Sequence, residues 1–198
     1  MVELEEAADR IWLADIYLYH SHLGITPQEA DAQSPSKKPL GFHQDSGRVN
    51  LELEGDPRPR LSLKVAYWLS DISEPGRGNF YIVPGSHLYN KLHRPADGNP
   101  QNAIPVCAQR GDAVFFDRSL WHARSPNHSP SVRKALFYGY ACTKDDMTID
   151  PDLYEACDPV RKQLLGAASN CNGFFSPKEE DTPFRTWLEE HLGEDVFH

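Results

Sequence analysis

Apolar and polar residues alternate most cleanly between Leu61 and Leu69. Leu61, Leu63, Val65, Tyr67 and Leu69 fall on one side of an extended chain, and Ser62, Lys64, Ala66 and Trp68 on the other, the two-residue period of a β-strand. Residues 11–20 are rich in β-branched and aromatic side chains and read as an earlier strand that ends in His20-Ser21-His22. Further strands are expected at Asn79–Val83, Ala113–Phe116 and Val132–Tyr140, separated by turn-forming runs at 74–78, 84–87, 111–112 and 125–130. Residues 26–40 carry Pro27, Pro35 and Pro39 and form a loop, and so do residues 93–103. Residues 1–10 suit a short helical turn.

Beyond residue 144 the texture changes. Leu153, Ala156, Val160, Leu164 and Leu165 recur at helical intervals, interrupted by Pro159. A last helix is marked by Thr182 as N-cap, Pro183 in its first position, a stripe of Trp187, Leu188 and Leu192, and Gly193 as its stop. Strands first and helices last predict one mainly β domain over 1–198, of the closed or two-sheet antiparallel kind. The β core would span about 11–142 and the helical segment about 150–194.

Charge narrows the partners. The net charge is −9, a surface that repels phosphate backbones and anionic lipid, so neither nucleic acid nor a membrane is expected. No apolar run approaches the ~18 residues of a membrane span, and the acidic start Val-Glu-Leu-Glu-Glu is unlike a secretory signal. A cytoplasmic location is expected. The four cysteines form no CxxC pair and read as free thiols. The sequence sets no oligomeric state.

The chemistry gathers at Gly-Phe-His-Gln-Asp, 41–45. On a strand, His43 and Asp45 point to the same face. With His122 as a third donor they make two histidines and one carboxylate, the facial set of non-haem Fe(II) oxygenases, which leaves metal positions open for co-substrate and dioxygen. A co-substrate such as 2-oxoglutarate needs a fixed cation for its far carboxylate, and arginine matches it with a planar fork. Arg133, across the 125–130 hairpin from His122, is placed to enter the same cavity. His20 and His22 are a competing pair, but no carboxylate follows at matching spacing, and both are better read as wall of the substrate pocket. Lys64 either points into the barrel beside Ser62 or is an exposed edge charge. Arg124 would share a face with His122, meeting an acidic substrate group or a surface partner.

These blocks together resemble the phytanoyl-CoA dioxygenase (PhyH) family of Fe(II)/2-oxoglutarate oxygenases. The resemblance runs from about Ile11 to Tyr140. It rests on His43-Gln44-Asp45, residues 61–71, Val-Pro-Gly-Ser-His at 83–87, Gly-Asp-Ala-Val-Phe-Phe at 111–116, and Trp-His-Ala-Arg-Ser-Pro-Asn from 121 through to Arg133. It implies a double-stranded β-helix (jelly roll, cupin-like), with His43, Asp45 and His122 as iron ligands and Arg133 as the 2-oxoglutarate anchor. Ser62 matches a position that assists the co-substrate in some relatives. Related halogenases replace the ligand carboxylate by a small residue, so Asp45 implies hydroxylation. Family members carry a longer section ahead of the first ligand histidine than the 42 residues present here.

The expected activity is hydroxylation of a small organic molecule at a bound Fe(II) cofactor, with 2-oxoglutarate and O2 consumed and succinate and CO2 released. Two other readings remain: a cupin-like metalloprotein that does not use 2-oxoglutarate, and a catalytically inactive binding module.

Overall fold

A computed structural model of the chain describes residues 16–29, 39–45, 62–95, 98–141, 150–166 and 183–193. The chain divides into two compact units, one of residues 21–138 and one of residues 1–20 with 139–198. Two β-strands run through the boundaries between them.

The described strands are β1 (Tyr17–Thr26), β2 (Ser62–Trp68), β3 (Phe80–Ile82), β4 (Ile104–Val106), β5 (Ala113–Asp117), β6 (His122–Arg124) and β7 (Arg133–Ala141). They form a four-stranded sheet in the order β1-β7-β2-β5 and a three-stranded sheet in the order β4-β3-β6. This crossed order joins strands distant in sequence, as a jelly roll requires. β2 and β5 pair antiparallel from Leu63 opposite Asp117 to Tyr67 opposite Ala113. β3 lies antiparallel to both of its neighbours.

Within residues 21–138 the two sheets share one core. Ala66, Trp68, Phe116, Ala135 and Phe137 come from the larger sheet, with Phe80, Ile82 and Val106 from the smaller. The face of β2 turned into the core and cavity is Ser62, Lys64, Ala66 and Trp68, all buried, whereas Tyr67 and Leu69 are exposed. The side that looks less apolar in the sequence is therefore the one that meets the core and cavity, although Val65 on the other side is also covered, at 1% exposed. Turns at both ends are fixed by polar groups. Asn79, fully buried, donates to the carbonyls of Ile72 at 2.9 Å and Val106 at 3.2 Å. Asn127, equally buried, donates to those of Thr26 at 3.0 Å and Ser131 at 2.8 Å, tying the end of β1 to the β6–β7 connection.

Some expected elements shift. β1 continues to Thr26, so the His20-Ser21-His22 run lies inside the strand and does not end it; residues 11–15 lie outside the described residues. β4 had no marker in the alternation pattern.

In the other unit, Gly139 leaves no room for a Cβ, which would stand 2.6 Å from the Tyr19 ring. Its helices are α1 (Pro151–Glu155), α2 (Pro159–Leu164) and α3 (Pro183–Leu192). Asp150 and Asp158 cap the first two, each ahead of a proline, so Pro159 starts a helix and does not merely interrupt one. The stripe expected from Leu153 does not face a core: Leu153 is 63% exposed, while Gln163 is 1% exposed. The Gln163 side-chain oxygen accepts from the Phe184 N–H at the start of α3 at 2.9 Å. On α3 only Leu188 of the expected stripe is buried; Trp187 is exposed and stacks on His191. Thr182 and residues 1–10 lie outside the described residues. Cys107 and Cys157 are free. Among the described residues no helix is long and apolar enough to cross a membrane.

Candidate metal centre

The segment before Gln44 is anchored first by packing. Phe42 is buried with Val83 and Ala123, and the Arg94 guanidinium donates to its carbonyl. His43 and His122 then face each other as an antiparallel bridge. The N–H of each donates to the carbonyl of the other, both at 2.9 Å. His122 is itself opposite Ile82 in the β3–β6 ladder, so residue 43 adds a further rung to the small sheet. Directly opposed residues project to one face, and the two imidazole centroids lie 4.4 Å apart. Asp45, two residues on, returns to that face, its N–H held by the Arg118 carbonyl at 3.0 Å. Gln44 points the other way and donates to the Ser119 carbonyl. Donor atoms of His43, Asp45 and His122 all lie within 4.8 Å of one another.

Both rings are oriented by the main chain. The Nδ1 of His43 meets the Gly41 carbonyl at 3.0 Å, and the Nδ1 of His122 the Leu120 carbonyl at 2.7 Å. A carbonyl only accepts, so each Nδ1 carries the proton and each Nε2 keeps its lone pair for a ligand. Burial brings the His122 pKa down to about 4, against smaller opposing effects of Asp45 and the Leu120 carbonyl, so the ring is neutral at pH 7. Burial pulls the Asp45 carboxyl upward. His122, and then the hydrogen bond and charge of Lys64, outweigh that and leave its pKa below the ordinary value. With His122 neutral, the cation standing against this carboxylate is Lys64, whose Nζ lies 2.8 Å from Asp45 Oδ2. Two imidazoles and a carboxylate are a donor set that fits a divalent first-row metal ion.

The three donors open on a cavity of about 530 Å³, whose walls include His22, Phe80, Phe116, Arg124 and Arg133. Arg133 is 5% exposed. No carboxylate among the described residues pairs with it, and its Nε is buried without a hydrogen-bond partner. Its guanidinium carbon lies 4.8 Å over the Trp68 ring and 5.5 Å over that of Phe137. Burial, then the charge of Arg124, lowers its pKa to about 10; it remains a cation. Gly24, near the end of β1, makes room for it, since a Cβ there would sit 3.0 Å from Arg133 Nη1.

The remaining residues singled out in the sequence are dispersed. Lys64 lines the cavity, which settles its direction. Arg124 reaches the rim and pairs with Glu29 at 3.0 Å. Ser62 is buried on the same face of β2 but does not line the cavity, and neither does His20. His22 does, stacked on Phe137 with centroids 4.7 Å apart. Two contributors were not singled out beforehand. For Gly24 the signal was a glycine inside a strand pattern. For Asn127 it was an asparagine between turn prolines, which has a buried bracing role.

The antiparallel pairing and crossed strand order are those of a mainly β, cupin-like jelly roll. The sequence profile of the family described as phytanoyl-CoA dioxygenase (PhyH) matches residues 2–135, and the chain belongs to that family. It is 24% identical over 139 residues to the dioxygenase cdmD of Talaromyces verruculosus, covering 67% of this chain and 45% of that protein. With the ectoine dioxygenase of Stutzerimonas stutzeri (strain A1501) it shares 28% over 151 residues, 64% of this chain and 47% of the relative. The chain thus spans about half the length of these curated relatives. Among solved structures, HygX from Streptomyces hygroscopicus, seen with nickel, 2-oxoglutarate and hygromycin B, superposes with a TM-score of 0.50. That match has 17% identity and covers 70% of this chain and 61% of HygX; it speaks to the fold alone.

Proposed function

We propose that the protein is an Fe(II)- and 2-oxoglutarate-dependent dioxygenase that hydroxylates a small organic substrate and releases succinate and CO2. His43 Nε2, Asp45 Oδ2 and His122 Nε2 would hold the metal, and Arg133 would receive the distal carboxylate of 2-oxoglutarate. The observation that carries this reading is Arg133. A buried guanidinium with no acidic partner among the described residues, lining the same cavity as a His-Asp-His set, is an anion site waiting for its anion. Membership of a dioxygenase family, and relatives named as dioxygenases, support the reaction type.

The chain's own work is positioning. The carbonyls of Gly41 and Leu120 fix the imidazole tautomers. Phe80 and Phe116 pack beside the His122 ring, at 5.1 and 5.5 Å between centroids, and keep that side dry. The bound iron and co-substrate supply the activation of dioxygen and the electrons for its reduction.

An anaerobic titration tests this. Fe(II) and then 2-oxoglutarate are added to metal-free protein while the weak visible charge-transfer band of the chelate is watched. The band is expected in the wild type and absent in His122→Ala. Iron binding with no band on adding 2-oxoglutarate would defeat the co-substrate assignment, and no iron binding would defeat the metal site. Substrate candidates are then screened by succinate release.

A further inference from the structure

Lys64 sits at the centre of β2, opposite Phe116 of β5, with a side chain only 10% exposed. A lysine this buried needs an acid partner. The described partner is Asp45, and the atom it touches is Oδ2, at 2.8 Å. That same oxygen faces the histidines, 3.7 Å from His122 Nε2. A lysine that merely braced a ligand carboxylate would occupy the oxygen turned away from the other donors. Here the ammonium sits on the oxygen that a metal ion held by the set would use. With a metal–oxygen bond of ~2.1 Å and the ammonium still in place, a dication and a monocation would stand only about 4 Å apart, where like charges repel strongly in a buried site.

We propose that Lys64 is the resident counter-ion of Asp45, and that a divalent cation entering the His43–Asp45–His122 set has to displace its ammonium from Oδ2. This rests on the metal-site reading above. The consequence is a site that carries its own positive charge. Asp45 stays ionised and correctly aimed before metal arrives, at the cost of weaker metal affinity. Once displaced, the Lys64 ammonium remains in the cavity without that partner, available to an anionic group of the incoming ligands.

The test reads metal affinity, with no turnover required. Apo wild type, Lys64→Met and Lys64→Arg are titrated with Co(II), following its visible absorption, in competition with a chelator of known affinity. His122→Ala serves as the control. Displacement predicts that Lys64→Met binds Co(II) at least tenfold more tightly than wild type, with Lys64→Arg close to wild type. A bracing role predicts the opposite sign, a loss of roughly 10- to 100-fold, and that result, or no change, overturns the proposal while leaving the metal site standing. Absence of Co(II) binding in both wild type and Lys64→Met sinks the metal site and this inference together. Should Lys64→Met fail to fold, the wild type itself decides by NMR of 15N-lysine-labelled protein. The signal of the buried Lys64 ammonium, ion-paired with Asp45 Oδ2, shifts or is lost when Zn(II) is added if displacement occurs, and is unchanged if it does not.

Discussion

Replacing Arg133 by methionine should make the free protein more stable while removing its affinity for 2-oxoglutarate. Burial holds the Arg133 pKa at about 10, well below the ordinary guanidinium value. At 1.36 kcal/mol per pH unit that corresponds to roughly 3 kcal/mol of desolvation carried by the charged form. Contact with the Trp68 and Phe137 rings returns about 0.5–2 kcal/mol. Methionine keeps an unbranched apolar stem against both rings and drops the charge, so a net gain of about 1–2 kcal/mol is expected. For a chain of this size that raises Tm by roughly 2–8 °C, read by differential scanning fluorimetry without added ligand. In the anaerobic titration the same substitution should weaken 2-oxoglutarate binding by about 2–5 kcal/mol, some 30-fold to several thousandfold, as for loss of one partner of a buried charge pair. Fe(II) binding itself should stay within a few-fold. A lowered Tm with 2-oxoglutarate affinity retained would refute the reasoning, because Arg133 would then be a structural cation with a partner of its own.

Three further outcomes follow from the same geometry. Gly24→Ala places a methyl 3.0 Å from Arg133 Nη1 and 3.3 Å from the Phe137 ring, so 2-oxoglutarate affinity should fall several-fold with little change in metal affinity, measured in the same titration. Asn127→Ala takes its side-chain donor from the buried carbonyl of Thr26, whereas the exposed Ser131 carbonyl keeps the Ser129 hydroxyl, and urea denaturation should show a loss of about 1–3 kcal/mol for the one unsatisfied group. His122, neutral in the fold with a pKa of about 4 against 6.5, binds its proton more readily when unfolded. Its contribution is therefore full above pH 6.5 and is lost as pH falls toward 4, by up to roughly 3 kcal/mol. Metal-free protein should show that slope by denaturation at pH 7, 5.5 and 4.5, and His122→Asn should flatten it.

How much of this was legible in the sequence differs by level. The strands around Ser62–Trp68 and Arg133–Ala141 are long enough for a period of two to speak, and residue type marked their ends. β4 and β6, three residues each, are too short for any period and exist because β3 offers them a partner. Which face of β2 turns inward was not readable from hydropathy, because a cavity with charged ligands wants Lys64 inside and leaves Tyr67 and Leu69 outside. The helical stripe failed for a related reason: Gln163 is buried because its amide satisfies the start of α3, a long-range hydrogen bond with no signature in local pattern. The donor triplet was visible as HxD plus a distant histidine. Its cross-strand pairing, and the contact of Lys64 with Asp45, depend on sheet order, which alternation does not encode.

The bridge between His43 and His122 gives the centre an uneven tolerance to genetic change. Spacing of the two imidazoles is written in two main-chain hydrogen bonds and owes nothing to the identity of the cavity walls. Substitutions at His22, Arg124 or the 27–29 segment, which line the cavity, can therefore accumulate without disturbing the donors. Insertion or deletion of one residue between Gly41 and Asp45 is a different matter. It would turn one or both of those side chains to the opposite side of the strand in a single step. Diversification of such a scaffold is expected to proceed by exchange of wall residues and by length changes in loops, with the reading frame of this short strand left alone. Libraries built on it should be designed under the same restriction.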